Sequence, residues 1–325
     1  MRKVKNPHDI ITLVLPTNEP KVFMKYFLPS LENMKVIAPI STIAINFQDP
    51  WKPDMCQFCV NKIKELGFSV KSQLVGKYHI ESKGLVPFNK IRNDAVMLNP
   101  DSLFYALTDD DFKYLQESAK SPDAGTQYLR AIHYLLKFEN CGMVLFGGTM
   151  YRHIPINHIG ITKTINNEWY ITGKGFILRS MSPEFPLFPS DSIDLKGAKE
   201  ECLLAAARIN RGLYPAKMGN ARIYHDEVRK KDKDVQPGYE MYDWLKESII
   251  EDNVNQYIRD HYCKDMHGVY CYNVVDEDHY HEIGGPDHKK DYDKYLVNYT
   301  DTTVNKLMEE VINMAVECEE INNDI

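Results

Sequence analysis

The chain has 325 residues, 43% of them apolar and 26% charged, a balance that supports a sizeable core and excludes a disordered or fibrous protein. Its net charge of −7 excludes a surface that attracts polyanions as a whole, so any nucleic-acid contact would need a local basic patch. Seven cysteines without a regular framework suit reduced thiols, and no stretch approaches the ~20 apolar residues of a membrane span. The apolar run behind the basic start MRKVKNPHDI is too short for a signal peptide, so the cytoplasm is the expected compartment, with no membrane partner.

The run from Ile10 to Leu15 reads as a fully buried strand, because apolar and β-branched residues follow one another without polar alternation until Pro16. A helix is predicted from about Pro20 to Met34, with Val22, Phe23, Tyr26, Phe27 and Leu31 on one face and Pro29 as a point of shortening or kinking. TIAINF, at 42–47, is a second strand, followed by a helix from Asp54 to Leu66 that ends at Gly67. FSVKSQLV is a third strand. Beyond a loop with Gly76 and Gly84, FNKIRNDAVML has helical spacing at Ile91, Ala95 and Leu98, and SLFYAL at 102–107 is the next strand. Strands alternating with helices predict an α/β fold, a mostly parallel central sheet with helices on both faces and ligand-binding loops at the strands' C-terminal ends.

Further along, a helix is expected from Thr126 to Phe138, then MVLFGG as a strand, then a stretch around Trp169, Gly173 and Gly175 richer in strand than in helix. A helix from Lys196 to Asn210 closes at Gly212. After ARIYHDEVRKKDKD the composition turns polar, and two helical stretches follow, Tyr239 to Tyr262 and Thr302 to Cys318. The last carries an apolar stripe of Val304, Leu307, Met308, Val311, Ile312 and Ala315. The pattern predicts a larger α/β domain at 1–235 and an appended, mainly helical segment at 236–325.

In FYALTDDDF, three aspartates, Asp109, Asp110 and Asp111, stand at the C-terminal mouth of a buried strand. Alternation along an extended chain would turn Asp109 and Asp111 to the same side. Two carboxylates converging in a cleft raise each other's pKa unless a cation neutralises them, and a hard divalent ion such as Mn2+ or Mg2+ does so and can bridge a diphosphate. The competing reading has Asp111 capping a helix or turn that begins at Phe112, with the other two solvated. The strand order favours the metal.

The stretches LVLPTNEPKVFMKYFLPSL and NKIRNDAVMLNPDSLFYALTDDDF, in that order, resemble the GT-A glycosyltransferases, in particular the family 2-like members, over residues 10 to about 230. In that family a Pro-Thr-Asn-type strand end holds the nucleotide, an Arg-Asn pair faces the donor, and a D-x-D triplet follows the fourth strand. The resemblance implies a Rossmann-like GT-A fold and transfer of a sugar from a nucleotide-diphosphate sugar, a UDP-sugar foremost, to an acceptor hydroxyl. It implies donor contacts at Pro16, Thr17, Asn18, Glu19, Arg92, Asn93, Asp109 and Asp110, and metal ligation by Asp109 and Asp111. EECLLAAARINRG matches the family's acidic pair, with a glycine eleven residues beyond the second acid, and RIYHDE supplies the later histidine. His225 is then the third metal ligand, and Glu201 the general base of an inverting transfer, with Glu200 and Asp191 as alternatives because the family's usual pair is Glu-Asp. Arg229, with Lys230 and Lys231, would neutralise phosphate on a closing loop. The compact, anchor-free look is similar to phage-encoded transferases that decorate hydroxymethylated bases in DNA; a glycan or small acceptor is the other option.

Each assignment has a plainer counterpart: polar turns, helix N-terminal acids, an exposed salt bridge for Arg92 and a surface histidine for His225. A nucleotidyltransferase would share the sheet and the paired acids but would place a glycine-rich, basic loop after the first strand, and PTNEPK is not one. A binding protein whose acids only hold metal is the third option. Cys56 and Cys59, inside an amphipathic helix with no matching second pair, are expected as buried thiols and not as a zinc site.

Overall fold

A computed structural model describes residues 2–76, 88–116, 123–146, 150–151, 154–155, 161–163, 169–171, 175–181, 187, 204, 207–208, 211–218, 223–225, 272–273 and 297–317. In chain order the strands are β1 (Ile11–Thr17), β2 (Ser41–Phe47), β3 (Ser69–Leu74), β4 (Phe104–Leu107), β5 (Phe112–Tyr114), β6 (Cys141–Phe146), β7 (Met150–Tyr151) and β8 (Ile154–Pro155). Then come β9 (Ile161–Lys163), β10 (Trp169–Ile171), β11 (Phe176–Arg179), β12 (Tyr214–Met218), β13 (Ile223–His225) and β14 (Tyr272–Asn273). The longer helices are α1 (Pro53–Glu65), α2 (Phe88–Val96), α3 (Ala124–Lys137) and α4 (Val304–Ala315).

Eight of these strands form the central sheet in the order β14-β12-β6-β11-β4-β1-β2-β3. β1 pairs in parallel with both β2 and β4, and only β11 runs against its neighbours. The sheet is mostly parallel with helices on both faces, as the alternating pattern predicted. Burial shows why β1 and β2 read as continuous apolar runs: Ile11, Leu13, Leu15, Ile43, Ile45 and Phe47 enter one core with Phe23, Phe27, α1 and α3. The alternate residues Val14 and Ala44, equally buried, lie on the other face, where α2 crosses β1 and β2.

The helix predicted from Pro20 is less regular than its apolar spacing suggests. It is α-helical at Pro20–Val22, π-helical at Phe23–Phe27, α-helical again at Leu28–Ser30, and 3-10 from Leu31 to Ile40. The wide turn closes where Leu28 N–H reaches back to Phe23 C=O, immediately before Pro29, which has no N–H to continue an ordinary ladder.

α4 lies across α3, and Leu307, Val311 and Ala315 join the same core as the sheet. The chain's beginning is fastened to its end: Val4 N–H donates to Ala315 C=O at 2.9 Å, and Glu317 N–H donates to Val4 C=O at 2.9 Å. Thr303 caps α4 by accepting from Lys306 N–H. The predicted helix at 239–262 lies outside the described residues, and that at 196–210 is described only at Leu204, Ala207 and Arg208. Cys56 and Cys59 are buried in α1 as expected, and burial pushes the Cys59 thiol up to about 11.

Candidate functional site at the C-terminal edge of the sheet

β1 ends at Thr17 and β4 at Leu107, which is level with Val14, so the residues after Leu107 run alongside the last residues of the parallel strand β1. The acid triplet therefore leaves the sheet next to the end of β1, at the edge where open α/β folds bind ligands. The triplet is not extended. Phe112 N–H donates to Asp109 C=O at 3.1 Å, which closes a β-turn over residues 109–112. The strand alternation that would put Asp109 and Asp111 on one side does not apply across such a turn, and Phe112 opens strand β5, not a helix, so Asp111 is no helix cap.

Asp109 and Asp110 are instead held from different directions. Asp109 is 33% exposed and accepts at Oδ1 from Arg92 Nη2 at 3.0 Å. Arg92 comes from α2, on the far face of the sheet, and is buried, so it is not an exposed helix salt bridge. Asp110 is 3% exposed and turns toward the main core, where its Oδ2 accepts from the Thr17 hydroxyl at 2.9 Å. Thr17 Oγ1 in turn accepts from the Trp51 indole N–H at 3.4 Å. Asp111, 5% exposed, leads into β5. Three adjacent carboxylates coexist because a guanidinium faces one, a hydroxyl another, and the turn separates all three.

β5 is anchored below. Asn33 Nδ2 donates to Tyr114 C=O at 2.8 Å, and the Tyr114 ring meets Phe27 and Tyr128 edge-on at 6.0 and 5.9 Å. Burial raises the Tyr114 and Tyr128 hydroxyls above their ordinary value, so both stay protonated beside the acids.

β5 also belongs to a second sheet, ordered β5-β13-β7-β8. β13 runs antiparallel to β5, with Ile223 opposite Tyr114, Tyr224 opposite Lys113 and His225 opposite Phe112. The backbone of His225 is thereby brought to the residue that follows Asp111. Gly175, just before β11, makes room for this strand: its φ is +86°, and a Cβ there would come within 2.5 Å of Ile223 Cδ1.

Of the other predicted donor contacts, Pro16 is half-buried within β1, Asn18 is exposed, and Glu19 is half-buried, its C=O accepting from Phe23 N–H at 3.0 Å. Asn93 is half-buried in α2 one residue beyond Arg92. Glu200, Glu201, Asp191 and Arg229 lie outside the described residues. Among the described residues no three His, Cys, Asp or Glu side chains gather as a metal-ligand set. Asp109, Asp111 and His225 would offer two hard carboxylates and an imidazole, a donor set that fits Mn2+ or Mg2+ when diphosphate oxygens complete it.

Sequence reasoning passed over two parts of this site. Strand β5 was legible as period-two alternation, with Phe112 and Tyr114 buried around exposed Lys113. Trp51 carried no local signal beyond being an aromatic residue after Asp49-Pro50.

No family model matches the sequence, and no curated protein sequence does. Among solved structures, the chain is similar to TarS of S. aureus in complex with UDP, at 14% identity and a TM-score of 0.40, over 66% of this chain and 56% of that one. It is similar to the mannosyltransferase PcManGT from Pyrobaculum calidifontis in complex with GDP-Man and Mn2+, at 12% identity and a TM-score of 0.44, over 80% and 68% of the two chains. A nucleoside-diphosphate-sugar pyrophosphorylase from Vibrio cholerae aligns at 14% identity and a TM-score of 0.33, over 66% and 93%. The chain spans a little over half the length of the TarS chain. All three scores fall below 0.5, so the chemistry has to be read from this chain's own residues.

Proposed function

We propose that this protein is a GT-A-type glycosyltransferase that moves a sugar from a nucleotide-diphosphate sugar, with a UDP-sugar as the first candidate, to an acceptor hydroxyl. The observation that carries the reading is the pairing of β13 with β5, which sets His225 opposite Phe112 and so unites two segments far apart in sequence beside the acid turn.

In this reading Asp109, Asp111 and His225 hold a divalent ion, which when bound supplies Lewis-acid stabilisation of the leaving diphosphate. Arg92 orients Asp109 at the sheet's edge and adds positive charge where the diphosphate would lie. In the same reading Asn18, exposed just beyond β1, meets the nucleoside. Glu201, or Glu200 or Asp191 in its stead, takes the acceptor's proton, and Arg229 closes over the phosphates. The acceptor is an alcohol, for which a hydroxymethylated base in phage DNA is the candidate to test first, with a glycan as the alternative.

The test is hydrolysis of nucleotide sugars by the whole protein with and without Mn2+. Wild-type turnover should require the ion, and Asp111→Asn should abolish it; equal turnover in the variant would refute the assignment. Incubation with hydroxymethylated and with plain DNA then decides the acceptor, since only the former offers the hydroxyl.

A further inference from the structure

We infer that Trp51 and Thr17 form a positioning relay that holds Asp110 inward and so fixes the acid turn. The inference deepens the proposed metal and donor site and rests on that reading for its functional consequence. The polarity of the relay follows from the groups themselves. An indole N–H can only donate, so at 3.4 Å from Thr17 Oγ1 it makes that oxygen an acceptor. Thr17 is then left to give its own proton to Asp110 Oδ2, at 2.9 Å. All three groups are buried, so no water competes for these bonds and each has one direction.

Thr17, assigned to nucleotide contact by resemblance, directs its hydroxyl at Asp110. Trp51 is itself fixed by Phe47, at 4.7 Å between ring centroids, and by Phe23, edge-on at 5.3 Å. The relay thus ties the turn to the main aromatic core on one face of the sheet, while Arg92 ties Asp109 from the opposite face. Held from both sides, the turn keeps Asp110 directed inward while Asp109 stays at the sheet's edge.

Three variants of the whole protein test this: Thr17→Val, which removes the relay's middle; Trp51→Phe, which keeps an aromatic ring and removes the N–H; and Thr17→Ser, which keeps the hydroxyl. The first readout needs no metal: hydrogen exchange at the Phe112 amide, whose N–H closes the turn. Thr17→Val and Trp51→Phe should speed it about tenfold, with Thr17→Ser near wild type. The second is Mn2+ affinity by calorimetry, which should fall about tenfold in the same two variants and recover in Thr17→Ser. Unchanged exchange at Phe112 in both variants overturns the relay. Faster exchange with unchanged Mn2+ affinity overturns its role in positioning the metal ligands. Faster exchange in a protein whose wild type binds no Mn2+ upholds the relay as a clasp of the turn and sinks the metal reading above.

Discussion

The ion pair between Arg92 and Asp109 is unequal in its surroundings, and that inequality predicts which partner is harder to lose. The Arg92 side chain is 5% exposed, whereas that of Asp109 is 33% exposed, across an N–O distance of 3.0 Å. Unit charges about 4 Å apart at an effective dielectric of ~20 attract by ~4 kcal/mol, but desolvation of the guanidinium offsets much of it. A net charge-assisted bond of about 1.5–3 kcal/mol remains. Arg92→Met keeps the stem's packing and leaves a carboxylate that water can reach, so its cost should be about 1.5 kcal/mol. Asp109→Ala leaves a buried guanidinium with one charge partner fewer, and its cost should be about 3 kcal/mol. Urea unfolding of both single variants and the double variant, without nucleotide or metal, measures the pair, with an expected coupling of about 1–2 kcal/mol. A coupling below ~0.3 kcal/mol, or Arg92→Met costing more than Asp109→Ala, would refute the reasoning.

Gly175→Ala places a Cβ 2.5 Å from Ile223 Cδ1 at a φ of +86°, so both a steric and a backbone penalty arise, about 3 kcal/mol together. Adding Ile223→Val, which removes that methyl, should recover part of the loss in chemical denaturation, and no recovery would show that the clash is not the cause. His133, in the seam between α3 and α4, contacts the Tyr299 hydroxyl at 3.0 Å and Glu310 at 3.3 Å. Burial lowers its pKa below the ordinary 6.5, against the pull of Glu310 and with Lys137 adding to the decrease. Below pH 6.5 the unfolded chain therefore binds this proton before the folded one does, and stability should fall with pH until the folded value is reached. His133→Gln should flatten that part of the melting-temperature profile between pH 5 and 7.5; an unaltered profile would count against it. Leu307→Ala opens a hole between α4 and the main core and should cost about 2–5 kcal/mol in urea unfolding, whereas a helix that merely rests on the surface would lose far less.

The sheet was legible because its signals are local. Runs such as Ile11–Leu15 and Ile43–Phe47, apolar but for the buried Thr12 and Asn46, are satisfied by burial on both faces, and the helical periods between them set parallel crossovers. The same locality placed Asp109–Asp111 at the strands' C-terminal edge, since a charged triplet cannot continue a buried strand. What the three acids then do was not legible. Whether an aspartate meets Arg92 across one face, Thr17 and Trp51 across the other, or β13 beside it depends on contacts between residues distant in the chain. A turn and an extended strand differ by one backbone hydrogen bond, from Phe112 to Asp109, which no residue pattern in DDDF dictates by itself. Burial and period therefore belonged to the sequence, while the direction of each side chain and the meeting of β5 with β13 were decided only when the packed core fixed which distant groups became neighbours.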